Sequence, residues 1–180
     1  MEWDAVVVQH ADINHTGITG AGGSLPSGTS FPGSPASNDL FYRTDRDILY
    51  FYDGTRWLTV NLYVIPMQLS IVAQTADTTT ARFPVPYDAE LYLVEWDVMT
   101  FLSGTAIWLI NLNRHDSADS GTLVAQASTS GDSTATWTRH NVAINAVLDS
   151  SARVLTAASD ETTGTATINW HAALRFRLIG

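Results

Sequence analysis

The chain has 180 residues, 45% of them hydrophobic, and carries 18 acidic against 9 basic side chains, a net charge of −9. That length holds one domain, or one domain with a small appendage, and enough apolar residues for a real core. Cysteine is absent, which excludes a disulfide framework and cysteine-ligated zinc, and the acidic balance argues against gripping a nucleic-acid backbone.

At the N-terminus, Met1-Glu2-Trp3-Asp4 is acidic where a signal peptide would be basic, and no apolar run reaches the length of a membrane span. No membrane insertion is therefore expected. Ala5-Val6-Val7-Val8 is a short apolar run that would suit one edge strand. Beyond it the chain is dominated by Gly, Ser, Pro and Thr without periodicity, and residues 1–38 as a whole read as an extended anchoring arm or linker. Val6, Val7, Val8, His10, Ile13, His15 and Ile18 are the arm residues expected to anchor a partner surface. His10, Asp12 and His15 are metal-ligand types, but their spacing fits no tight metal motif, and loop histidines bonded to backbone are the simpler reading. Gly17, Gly20, Gly22 and Gly23 make no phosphate loop, because the chain has no lysine and no strand–helix context surrounds them. No cofactor is expected.

Residues 39–64 read as a three-stranded meander: Leu40–Arg43, Ile48–Tyr52 and Arg56–Val60. Thr44-Asp45-Arg46-Asp47 separates the first two strands. Asp53-Gly54 separates the second pair and predicts a two-residue type I′ turn. Three strands alone are marginal and need a face to bury. Phe41, Tyr50, Tyr52 and Trp57 supply that packing, against the following domain, another copy or a different partner.

The stretch Pro35-x-x-x-Asp39-Leu-Phe-Tyr-Arg-Thr-Asp45, followed by Leu49-Tyr-Phe-Tyr-Asp-Gly-Thr-Arg-Trp-Leu58, resembles a module found in structural proteins of tailed bacteriophages, notably fibres, spikes and head-decoration proteins. The resemblance covers Pro35–Leu58 only, and the module is a connector, not an activity. It implies a virion protein, made in the host cytoplasm, whose partners are other copies of itself, as a homotrimer, and a major capsid or other virion protein.

Residues 65–180 carry about eight β-rich runs separated by Gly, Asp, Ser and Thr clusters: Met67–Ala73, Ala81–Val85, Leu91–Leu102, Thr105–Asn113, Thr122–Ala127, Thr134–His140, Asn141–Leu148 with Val154–Ala157, and Thr165–Leu178. The pattern predicts an all-β chain with a C-terminal antiparallel β-sandwich of jelly-roll type. In Thr165–Leu178 the even positions, Ile168, Trp170, Leu174 and Phe176 among them, alternate with polar odd ones, so one face is buried. In Leu91–Leu102 the even face, Tyr92, Val94, Trp96, Val98 and Leu102, is the expected core side. Met99, Phe101, Ile107 and Leu109 lie on the opposite faces of their strands and are the expected subunit interface, since a strand apolar on both faces calls for a second cover.

Three further features are weighed against plain structural roles. Glu95 and Asp97, two apart on a strand, share a face as a carboxylate-pair hydrolase requires. No nucleophile pattern accompanies them, and a pairing with arginine is the simpler reading. His115, Asp116 and Asp119 lack the ligand spacing of a calcium loop. Of the six tryptophans, Trp96, Trp108 and Trp170 fall on core faces, whereas Trp137, between Thr136 and Thr138, is the expected exposed ring and the one candidate contact for a host surface glycan. The sequence thus predicts a non-enzymatic virion protein, either capsid decoration or a head fibre, with a tail-fibre or carbohydrate-binding module as the alternative.

Overall fold

The computed structural model describes residues 25–67, 78–84, 90–115, 121–148, 154–163 and 167–180. The chain divides into two compact units, Met1–Val60 and Asn61–Gly180.

The first unit contains β1 (Ser27–Gly28), β2 (Leu40–Arg43), β3 (Ile48–Tyr52) and β4 (Trp57–Thr59), hydrogen-bonded in that order. The expected meander is β2-β3-β4, and β1 adds a short parallel strand from the Gly/Ser/Pro stretch that precedes it. Within the stretch read as an arm, Ser27–Gly28 thus join this sheet, and Pro26 and Gly28 accept from the amides of Tyr42 and Thr44. The aromatic face is closed from within by Phe31, whose ring lies 5.0 Å from Trp57 and 5.1 Å from Tyr50. The Arg43 guanidinium sits 4.7 Å over the outer side of the same cluster, on the Phe31 ring.

The turn at Asp53-Gly54 differs from the two-residue type expected. Tyr52 pairs with Trp57, leaving the four-residue loop Asp53–Arg56. Gly54 takes φ +100° while Asp53 stays at negative φ. The reason is the Asp53 side chain, whose Oδ1 accepts from the amides of Thr55 (2.8 Å) and Arg56 (2.7 Å) and so stabilises the longer loop.

The second unit contains β5 (Tyr63–Met67), β6 (Thr78–Pro84), β7 (Leu91–Ser103), β8 (Ile107–His115), β9 (Gly121–Ser128), β10 (Trp137–Leu148), β11 (Val154–Thr163) and β12 (Thr167–Leu178). One sheet runs β10-β7-β12-β5 and the other β6-β11-β8-β9. Counted within this unit, the first sheet holds its sixth, third, eighth and first strands, and the second holds its second, seventh, fourth and fifth. Spatial neighbours are distant in sequence, as in two Greek keys folded on one another, which is the jelly roll. No helix occurs among the described residues. Pro66 lies in β5, an edge strand, where a missing N–H is tolerated.

The core lies between the sheets. Trp96, Val98, Trp108, Ile110, Leu112, Leu155, Ile168 and Leu174 are all fully buried there. In β12 the even positions from Ile168 to Phe176 are buried, following the period-two pattern. β7 departs from the expected alternation. Leu91 and Leu93 are core residues, while Tyr92 and Val94 are only half-buried. Arg175 and Phe176 of β12 pair with Glu95 and Leu93, so Val94 is an extra residue, a bulge that reverses the facing of everything before it. Two runs are also redrawn. Thr134–His140 and Asn141–Leu148 form the single strand β10, and Val154–Ala157 begins the separate strand β11.

Candidate functional site

The most feature-rich surface among the described residues is the outer face of the β10-β7-β12-β5 sheet. Register places Trp137, Phe101 and Asn169 side by side across β10, β7 and β12. The next rows are Arg139, Met99 and His171, then Asn141, Asp97 and Ala173, then Ala143, Glu95 and Arg175. Alternation against the buried Val98, Thr100 and Trp170 sends these side chains outward.

At one end of the face three rings meet. Trp137 is 44% exposed and lies 5.4 Å from Phe101 and 5.4 Å from His171, centroid to centroid. Beside them is a charge lattice spanning three strands. Arg139 Nε donates to Asp97 Oδ1 at 2.6 Å and its Nη2 donates to Oδ2, a bidentate pair that raises the Arg139 pKa above its ordinary value through that hydrogen bond. Arg175 bonds Glu95 and reaches Asp97 at 3.4 Å, while Asn141 Nδ2 donates to Glu95 at 3.0 Å. Glu95 and Asp97 do share a face, and each faces a guanidinium. Two carboxylates meet two arginines, so the patch is locally neutral. Farther along β12, burial lowers the Arg177 pKa from its ordinary range.

The four expected interface residues fall on two different surfaces. Met99 and Phe101 belong to the outer face of the β10-β7-β12-β5 sheet, whereas Ile107 and Leu109 alternate outward from Trp108 and Ile110 on the other sheet. On that second face Gln126 Nε2 donates to Asn111 Oδ1 at 2.8 Å, and Asn111 in turn donates to Asp160. This ladder of amides and a carboxylate crosses β9, β8 and β11.

Phe41, Tyr50 and Trp57 form one buried cluster with Tyr52 packed against it, as part of the first unit. Val6, Val7, Val8, His10, Asp12, Ile13, His15, Ile18, Asp116 and Asp119 lie outside the described residues. His115 is bonded to Thr156 at 2.8 Å. Among the described residues no three metal-ligating side chains come together.

One polar cluster escaped the sequence reading. Thr100 Oγ1 donates to Asp132 Oδ2 at 2.9 Å, and His140 Nε2 lies 3.0 Å from both oxygens. Thr, His and Asp together suggest a nucleophilic triad, but a relay needs the two ring nitrogens to face different partners. Here one nitrogen meets both. The cluster instead ties the 129–136 loop to β7 and β10. The signal for it was present in part, since Thr100 occupies a core-facing position between Val98 and Leu102 in a strand otherwise apolar on that side.

In architecture this is an all-β chain with a small aromatic sheet followed by a jelly roll. No family model matches it, and no curated protein matches it. Among solved structures, the infectious bursal disease virus VP2 subviral particle is similar at 13% identity and TM-score 0.44, over 82% of this chain and 42% of that one. The T13 particle of the same virus is similar at 12% identity and TM-score 0.41, over 64% of this chain and 30% of that one. YomS, derived from the SPBc2 prophage, is similar at 13% identity and TM-score 0.31, over 64% of this chain and 93% of that one. The chain spans less than half the length of the bursal disease virus chains. Likeness at this level carries no argument about function.

Proposed function

We propose that this chain is a non-enzymatic structural protein of a tailed-phage virion. It attaches through its N-terminal arm and projects a trimeric jelly roll from the particle, as a capsid decoration protein or head fibre. The observation that carries the reading is the self-contained first unit. The segment that resembles the phage connector module, Pro35–Leu58, has its aromatic face closed by Phe31 from the stretch just before it, so the small sheet buries its own core. Glu95 and Asp97, the carboxylates a hydrolase would need, serve as ion-pair acceptors across three strands. Locating a label on this chain in intact particles tests the proposal. Signal on the capsid surface is expected, and absence from the particle would defeat it. Light scattering of the purified protein tests the trimer, with a persistent ~20 kDa species counting against it unless assembly needs the virion.

The exposed ring of Trp137, set beside Phe101 and His171, supports a second reading as a tail-fibre or glycan-binding module. Saturable binding on an array of host surface glycans, lost in Trp137→Ala, would favour that reading over the purely structural one.

A further inference from the structure

Three register faults converge at one end of the jelly roll. β7 carries the extra residue Val94, and β9 carries the extra residue Val124 opposite the Leu112–Asn113 step. β10 loops out Ile144 and Asn145 between Ala143 and Ala146, with Asn145 at φ +52°, a left-handed backbone that a non-glycine residue seldom adopts. Each bulge bends its strand and increases its local twist. Where they meet is a pocket of about 310 Å³, partly open to solvent, whose lining includes Leu123, Val124, Ala146 and Val147 together with Arg114 and Thr122. That volume lies at the lower end of small-molecule sites.

Arg114 is the unusual member. It continues the inward alternation of Ile110 and Leu112, pairs across the sheet with the buried Leu155, and is itself half-buried. Among the described residues no carboxylate pairs with it, in contrast to Arg43, Arg56, Arg139 and Arg175. A half-buried guanidinium on an inward-facing position beside aliphatic side chains thus has no counter-charge among the described residues.

We propose that this cavity binds a small monocarboxylate with an apolar body, such as a short fatty acid. Arg114 would fork the carboxylate through two parallel N–H donors, the Thr122 hydroxyl would give a further bond, and the hydrocarbon would lie on Leu123, Val124, Ala146 and Val147. A single guanidinium matches a single negative charge. A phosphate monoester would bring about two charges at neutral pH and leave one uncompensated in an apolar pocket. The net charge of −9 repels anions at long range, but salt screens that field beyond about 10 Å, and the fork acts at contact.

The test is titration of the full chain with octanoate, followed by NMR and calorimetry, with octanol as the matched ligand lacking the charge. Saturable binding is expected, with amide shifts at Leu93, Arg114, Thr122–Val124 and Ala146–Leu148, and at least about tenfold weaker binding of octanol. Arg114→Gln should weaken octanoate by a similar factor, and Ala146→Phe, which fills the cavity from its other wall, should abolish binding. Shifts in the wild-type protein decide the matter even where a variant fails to fold. Absence of saturable binding, shifts confined to other surfaces, or equal affinity in a folded Arg114→Gln protein would overturn the proposal. Binding that appears only when Asp116 and Asp119 are changed to Asn would overturn it too, because it would show the chain's own carboxylates holding Arg114.

Discussion

Phe31 and Trp57 stack nearly parallel, 5.0 Å apart with their planes 10° from one another, although Phe31 comes from a stretch of Gly, Ser and Pro with no apolar periodicity. Their contact makes the small sheet a unit in its own right. Phe31→Ala should therefore cost about 2–3 kcal/mol, somewhat under the value for a fully buried ring because Phe31 is half-buried. Hydrogen exchange at the amides of β2 to β4 reads the effect. Unchanged protection there would mean that something other than Phe31 closes the cluster.

Trp96 is completely buried between the sheets, and no hydrogen-bond partner for its Nε1 occurs among the described residues. Trp96→Ala should destabilise the jelly roll by about 3–5 kcal/mol through the cavity it leaves. Trp96→Phe should cost clearly less, because it also removes an unpaired donor. Denaturant unfolding of the two variants gives the comparison, and equal losses would contradict it.

Asp45 accepts from Arg43 at 2.9 and 2.8 Å, and that bond holds the Asp45 pKa below its ordinary 3.8. A carboxylate whose folded pKa is depressed stabilises the fold above its unfolded value, and that contribution is lost as pH falls through the folded pKa. The first unit should thus weaken below about pH 4 by a component that Asp45→Asn removes. Acid titration of both proteins, followed by NMR at the amides of β2 to β4, is the measurement. Superimposable curves would show that the pair contributes nothing.

Asp97 joins Arg139 to Arg175 across β10, β7 and β12. Asp97→Ala should destabilise the sheet mildly, and less at high salt, since the pair is exposed on the Arg139 side. Glu95→Gln offers a separate check on the hydrolase reading. Any glycan-cleaving activity found in the protein should survive it, and loss of that activity would reinstate the carboxylate pair as catalytic.

The strands and their apolar faces were legible where alternation ran unbroken, as in β12. They were not legible where an extra residue reversed the phase. Nothing local marks Val94 as a bulge, because its neighbours are as apolar as it is, and only pairing with β12 and β10 reveals the shift. The exposure of Trp137 could be read from its threonine neighbours. Its partners Phe101 and His171 lie on other strands and required the register. Likewise, Met99 and Ile107 are close in sequence yet belong to opposite sheets, a separation set by jelly-roll topology and not by spacing.

Pro66 has a consequence for how copies of this chain can meet. It sits in the edge strand β5, opposite Ala173, and an edge proline turns its missing N–H toward the open side. A second molecule trying to extend that sheet would find a gap in the row of donors, as natural sheets arrange to avoid runaway polymerisation. Addition of a further strand at the β5 border is therefore discouraged, whatever the other borders of the two sheets allow.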